Sequence, residues 1–146
     1  HYIMMEKLSV VVTLYNEEDN VKPLLAAVDE ALQYFTYELI LVDDGSTDTT
    51  VKRVKQFANA HTTLIILKRN YGQTAAMAAG IEAASGDYII TMDGDLQNDP
   101  KDIAHMLAKL KAEDWDIVAG YRKDRKDNGL RKIPSKIANK LIRNLT

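Results

Sequence analysis

Five short apolar runs, each unbroken and each followed by a stretch of helical spacing, set the main constraint on how this chain folds. They are Leu8-Ser-Val-Val-Val-Thr-Leu14, Glu38-Leu-Ile-Leu-Val42, Leu64-Ile-Ile-Leu67, Tyr88-Ile-Ile-Thr-Met92 and Asp116-Ile-Val-Ala-Gly120. A strand with one wet face alternates apolar and polar residues, whereas a continuous, β-branched run is buried on both faces. Between the runs, Val21, Leu24, Leu25, Val28, Ala31, Leu32 and Phe35 recur on one helical face,. A second helix is expected from about Thr49 to Ala60. An alanine-rich third follows Gly72 to about Ala84, and a fourth carries Ile103, Met106, Leu107 and Leu110. A charged loop then leads to a last helix with Ile137, Leu141 and Leu145. Regular alternation of strand and helix implies an α/β fold: a mostly parallel, doubly wound sheet between two helical layers. Local signals place Asn20 at the first helix's N-cap, Pro23 in its first turn, and a Ser85-Gly86 cap after the third helix,.

At 146 residues, with 46% apolar and 27% charged side chains, the chain has the length and composition of one globular domain,. The domain is expected over residues 6–146, with residues 1–4 an expression scar. There is no cysteine, which excludes disulfides and thiolate metal sites,. No apolar run approaches the ~20 residues that span a bilayer, and none has the form of a signal peptide. The net charge of −2 hides an asymmetry. Between Tyr121 and Arg143 nine lysines and arginines face two aspartates, a local balance of +7. The remainder carries ten basic and nineteen acidic side chains, a balance of −9. An acidic body with a basic tail points to a cation-dependent site in the one and an anionic partner for the other.

In doubly wound sheets, ligands bind beyond the carboxyl ends of the strands, near the point where strand order reverses. The residues leaving those ends are Tyr15-Asn16-Glu17, Asp43-Asp44, Asn70 to Gly72, and Asp93 with Asp95. Four of five strands therefore deliver carboxylates or amides to one edge. Asp93-Gly94-Asp95 is the sharpest element, because two close carboxylates repel unless a hard cation joins them. Mg2+ or Mn2+ takes oxygen ligands and keeps positions open for phosphates. A solvated helix-entry turn, capped by Asn98 or Asp99, is the plain alternative for that motif. For Asp43-Asp44-Gly45-Ser46 the alternative is a turn with Ser46 or Thr47 capping the next helix, which is compatible with Asp44 accepting from a nucleobase or ribose. Gly72 and Gly80 read as packing glycines, His61 and His105 as surface and helix-face residues, and Trp115 and Tyr121 as core. No G-x-G-x-x-G follows the first strand, and neither a P-loop nor a G-x-S-x-G elbow occurs,.

With these residues assembled, the chain resembles the inverting GT-A glycosyltransferases, in particular the branch that loads sugars onto polyprenyl phosphates, such as dolichol-phosphate mannose synthases. The resemblance is carried by VVVTLYNEEDNV (Val10–Val21), ELILVDDGSTDTT (Glu38–Thr50), the span from Arg69 to Pro100, and DIVAGYR (Asp116–Arg122). It implies that Leu14, Tyr15 and Glu17 line a nucleotide pocket, with Asp44 on the base and Asn70 and Gly72 beside it. It implies that Asp93 and Asp95 are the catalytic pair, holding the metal and the donor diphosphate with Gln97 in the same shell. Arg122 matches a position near the acceptor phosphate, and Arg131 is expected to join it. The family usually has proline at the position of Thr13. Its members also run on through an acceptor-binding segment and, in many, membrane helices, so the chain is expected to be a fragment that transfers little sugar alone.

The resemblance thus implies a nucleotide-sugar donor, a polyprenyl-phosphate acceptor and a place at the inner face of the membrane, as part of the cell-envelope machinery. Lys132, Lys136, Lys140 and Arg143 are expected to meet anionic headgroups there. No nucleic-acid partner is implied, and homo-oligomerisation stays open. The other readings are transfer to a saccharide hydroxyl, a phosphohydrolase of the haloacid dehalogenase type, and a non-catalytic nucleotide-sugar-binding module.

Overall fold

The computed structural model describes residues 7–93, 117–120 and 130–133. The chain runs β1 (Lys7–Leu14), α1 (Val21–Ala31), β2 (Thr36–Asp43), α2 (Thr50–Phe57), β3 (Thr62–Ile66), α3 (Gln73–Ala83), β4 (Tyr88–Asp93), β5 (Ile117–Gly120) and β6 (Leu130–Ile133). These strands form one sheet in the order β3-β2-β1-β4-β5-β6. Every pairing is parallel except β5 with β6. The expected mostly parallel α/β sheet is therefore present, with its switch point between β1 and β4. The helices expected around residues 103–110 and 137–145 lie outside the described residues.

Burial explains why the runs read as continuous. β1 is central, and all its residues from Leu8 to Leu14 are buried. Its side chains alternate between two layers, because successive residues in a strand point to opposite faces. Val10, Val12 and Leu14, with Leu39 and Leu41 of β2, pack under α1 and α2 against Leu24, Val28 and Val54. Val11, Ile40 and Val42 face the other way, onto Ala76 of α3. The chain winds outwards through α1 and α2, then returns through α3 to place β4 on the opposite side of β1. With crossovers of one hand, that reversal puts α3 on the other face. The small residues of α3 permit close packing: a Cβ on Gly80 would stand 2.3 Å from Val11 Cγ1 and 3.0 Å from Val42 Cγ2.

Several local signals resolve differently in three dimensions. Asn20 does occupy the N-cap of α1, but its backbone is helical (φ −97°, ψ −12°) and its side chain caps nothing. A capping side chain needs an extended backbone to reach back to the helix; here the amide donates instead to Glu17 Oε2 at 2.6 Å. Helix α2 stops at Phe57, because Ala58 turns extended (φ −60°, ψ 146°). Gly86 is not a left-handed cap. Among the described residues only Asn16, Gly45 and Gly72 have positive φ. Gly86 is small because its N–H meets Ser9 Oγ at 2.8 Å, where a Cβ would lie 2.6 Å from that oxygen and 2.8 Å from the Lys7 carbonyl. The segment expected as a loop before the last helix contains β6, whose Arg131 and Lys132 pair with Ala119 and Val118.

The opposite edge of the sheet has its own tie. Glu38 Oε2 accepts from Ser9 Oγ at 2.6 Å, Ser85 N at 2.7 Å and Ser85 Oγ at 2.9 Å, and Lys7 Nζ stands 3.8 Å from Oε1. Burial pushes this carboxyl upwards, but the Ser9 hydroxyl, the Ser85 donors and Lys7 together hold it below its ordinary value of 4.5. A depressed acid stabilises the fold above its unfolded pKa, and the contribution disappears as pH falls through the lower folded value. Glu38→Ala is therefore expected to lose ~1–2 kcal/mol at neutral pH, by removing hydrogen bonds to a charged acceptor. The difference from wild type should shrink below about pH 4.5,. Urea midpoints measured across pH check this, and a pH-independent difference would refute it.

Candidate active-site edge

The register brings three strand ends to a common level. Leu14 pairs with Asp43, and one residue earlier Thr13 pairs with Asp93. Tyr15-Asn16-Glu17, Asp44-Gly45-Ser46 and Asp93 accordingly emerge at the same edge of the sheet, on both sides of the switch point. Asp43 also pairs with Ile66, which brings the loop after β3 to this edge. Asp95, Gln97 and Arg122 lie outside the described residues. Arg131, on β6, stands in the row of Thr91, since Ala119 pairs with both. That row is two residues short of Asp93 and two strands away, roughly 10 Å at ~4.8 Å per strand.

The two adjacent aspartates have separate structural duties. Asp43 is 1% exposed and closes its own turn, accepting from Ser46 N at 3.0 Å and Ser46 Oγ at 2.5 Å. Ser46 thus folds back onto β2 and caps no helix. Thr49 occupies the N-cap of α2 but its side chain does not cap the helix, and Asp48 Oδ1 accepts the Thr50 N–H at 2.9 Å. Burial pushes the Asp48 carboxyl up, but the Thr50 hydroxyl and N–H, together with the Glu18 and Asp48 N–H groups, hold it below the usual range. Asp44 is 4% exposed and reaches the next loop, accepting Tyr71 N at 2.8 Å on one oxygen and Gly72 N at 3.1 Å on the other. Each oxygen keeps a second lone pair, so a ligand at Asp44 would share the carboxylate with backbone amides.

Glycine makes this contact between loops feasible. Gly45 (φ +76°) lies so close to the β3–α3 loop that a Cβ would sit 2.4 Å from Arg69 C and 2.5 Å from Asn70 N. Gly72 differs from the packing role expected of it. It is the N-cap of α3 with φ +102°, and a Cβ there would meet nothing within 4 Å. Its freedom of backbone is what the turn requires.

The remaining expected ligands divide by exposure. Tyr15 (45% exposed) and Tyr71 (53%) are open, with the Arg69 guanidinium 5.6 Å from the Tyr71 ring centroid. Asn70 is exposed and Glu17 half-buried. Leu14 is 1% exposed and belongs to the core, and its carbonyl accepts the Asp44 N–H at 2.8 Å. As a side chain it therefore supports this edge from within the core. His61, read as a surface residue, is exposed and stacks on Tyr37 at 4.3 Å.

No pattern in the sequence marks the bonds that join the loops. Glu18 Oε2 accepts Thr49 N at 3.0 Å and Thr49 Oγ1 at 2.6 Å, and these two bonds hold its carboxyl below the usual range. Arg53 Nη1 donates to the Glu18 carbonyl at 2.9 Å. The polar stretch Ser46-Thr47-Asp48-Thr49-Thr50 signals a turn, but nothing in it names the partner loop.

No group of three or more side chains suited to a metal occurs among the described residues. Of the three expected ligands, only the backbone of Asp93 lies within them. Together the side chains expected as ligands, Asp93, Asp95 and Gln97, would offer oxygen donors, which suit a hard divalent cation,.

Comparison with known proteins accords with this arrangement. A model of glycosyl transferase family 2 matches residues 9–145. The chain is 49% identical over 146 residues to a dodecaprenyl-phosphate galacturonate synthase of Rhizobium johnstonii, covering 96% of this chain and 43% of that protein. It is 41% identical over 150 residues to an undecaprenyl-phosphate 4-deoxy-4-formamido-L-arabinose transferase of Klebsiella pneumoniae, covering 99% and 46%. The chain thus spans less than half the length of these relatives. Among solved structures, the mannosyltransferase PcManGT of Pyrobaculum calidifontis, in complex with GDP-Man and Mn2+, superposes with a TM-score of 0.64. The two are 25% identical, over 72% of this chain and 32% of that one. S. aureus TarS 1–349 in complex with UDP-GlcNAc gives 0.60 at 29% identity, over 73% and 31%. The sheet order, the switch-point edge and these matches agree that the chain has the GT-A architecture and belongs to glycosyl transferase family 2.

Proposed function

We propose that this chain is the donor-binding half of a metal-dependent, inverting glycosyltransferase that moves a sugar from a UDP- or GDP-sugar to a polyprenyl phosphate. The observation that carries the reading is the common exit of Tyr15–Glu17, Asp44 and Asp93 at the switch-point edge. Two relatives are named for transfer to polyprenyl phosphates, and one structural neighbour was crystallised with GDP-Man and Mn2+. The family match sets aside the phosphohydrolase alternative.

In this reading Tyr15 and Glu17 flank the nucleoside, Asp44 meets the base, and Asn70 and Gly72 border it. Asp93, Asp95 and Gln97 would hold Mg2+ or Mn2+. When bound, the cation offsets the charge that develops on the departing nucleoside diphosphate. A phosphate monoester with a second pKa near ~6 is largely ionised at neutral pH, so the acceptor needs no strong general base. Arg122 and Arg131 would orient that acceptor. Lys132, Lys136, Lys140 and Arg143 would face anionic headgroups, holding the enzyme at the cytoplasmic membrane face. No helix among the described residues is long and apolar enough to cross a membrane.

A thermal-shift panel of UDP- and GDP-sugars with and without Mn2+ tests the proposal. A ligand at ~100 times its Kd stabilises the fold by about 2.7 kcal/mol, which moves Tm by several degrees. One nucleotide family is expected to do so only with the cation. No shift with any of them would overturn the reading.

A further inference from the structure

Asn16 lies between the two exposed or half-exposed side chains that the donor reading uses, and no ligand role has been given to it. Among the described residues it is the one non-glycine with a positive φ, at +50°. Asn tolerates the left-handed region better than most residues, but such a conformation persists only where its surroundings impose it.

Here the surroundings are a repeated device. The Asn16 N–H donates to Ser46 Oγ at 2.9 Å, and the Ser46 hydroxyl donates in turn to Asp43 Oδ1 at 2.5 Å. The next amide repeats the pattern. Glu17 N–H donates to Thr50 Oγ1 at 3.0 Å, and the Thr50 hydroxyl donates to Asp48 Oδ1 at 2.5 Å. A hydroxyl is ordinarily a free rotor that can donate or accept. Once its proton is committed to an aspartate, its lone pairs are aimed, and it can serve the incoming amide only as an acceptor. The Asn16 side chain completes the lock, because its Oδ1 accepts Thr47 N at 2.8 Å and Thr47 Oγ1 at 3.3 Å. Two consecutive amides and one side chain of the β1–α1 loop are thereby bound to the β2–α2 loop.

We propose that Asn16, Ser46 and Thr50 are positioning residues of the donor site, which hold the Tyr15–Glu17 segment in its binding geometry through the Asp43 and Asp48 carboxylates. The proposal rests on the reading that Tyr15 and Glu17 meet the donor. It assigns Asp43 an indirect part, since its carboxylate closes the turn and aims Ser46. A site held in advance loses less entropy when it binds.

Two measurements on the same 146-residue chain test it: amide hydrogen exchange at residues 15–17 and 47, and titration of UDP and GDP with Mn2+. Asn16→Ala and Ser46→Ala are each expected to speed exchange at these amides at least tenfold and to weaken nucleotide binding at least tenfold. Ser46→Thr, which keeps the hydroxyl, should restore both, and Asn16→Gly should fall between because it adopts positive φ freely but lacks the amide. Melting temperatures identify any variant that fails to fold, and Ser46→Ala with its Thr rescue stands if Asn16→Ala does. Wild-type binding that persists unchanged in both alanine variants, or exchange that stays at the wild-type rate, overturns this proposal alone. A wild type that binds neither UDP nor GDP overturns the donor reading on which it rests.

Discussion

Gly45→Ala is expected to destabilise the fold by about 3 kcal/mol or more, although the residue is only half-buried and next to a turn. Its φ of +76° already disfavours any side chain. The larger effect is steric. The new methyl would lie 2.4 Å from Arg69 C and 2.5 Å from Asn70 N, which are backbone atoms with no rotamer to yield. Relief requires the β3–α3 loop to withdraw, and that loop is held by the bonds from Tyr71 N and Gly72 N to Asp44. Separation would leave a nearly buried carboxylate without its donors, at ~1–3 kcal/mol or more for the unsatisfied group. Gly72→Ala is the internal control. Its backbone (φ +102°, ψ 157°) is also unfavourable for a side chain, but its Cβ would meet nothing. That variant should lose only ~1–2 kcal/mol. Denaturant midpoints at constant m-value compare the two, and equal losses would show that the close approach of the loops is not the cause.

Asp95→Asn is expected to leave the fold intact and to weaken cation-dependent binding of the nucleoside diphosphate by at least ~100-fold, or about 2.7 kcal/mol. The change keeps size and shape but removes the charge of a proposed ligand, whose proposed partner Asp93 stands at the end of β4. Without cation, the melting temperature of the variant should match that of wild type. Isothermal titration with UDP and GDP, with and without Mn2+, separates these effects. Unchanged Mn2+-dependent affinity would remove Asp95 from the ligand set.

Much of the architecture was legible because burial leaves a one-dimensional trace. A strand covered on both faces must be apolar throughout, so β1, β2 and β4 stand out as runs, and the helical face of α1 follows from its spacing. Asp43, Asp44 and Asp93 were visible as residues at strand ends, because position relative to a run can be read along the chain. Pro23 was correctly placed in the first turn of α1, as a rule about the missing N–H requires,.

What could not be read is everything that depends on which loop meets which. The core packing of Leu14 at the end of β1, against residues of α1 and α2, is one such feature. Ser46 and Thr47 look like caps for α2, yet they bond to Asp43 and Asn16. Gly86 resembles a helix stop, and is needed instead for the approach to Ser9. β6 carries a charged, loop-like sequence, and becomes a strand by pairing with the otherwise open edge of β5. The sequence by itself determined the alternation of elements, the two-sided burial of the central strands β1 and β2 and the acidic character of the sheet's carboxyl edge, since each depends on neighbours along the chain. Only the tertiary structure decided the strand order, the pairing of loops across the switch point and the left-handed turn at Asn16, because those bonds join residues some thirty positions apart that no local pattern relates.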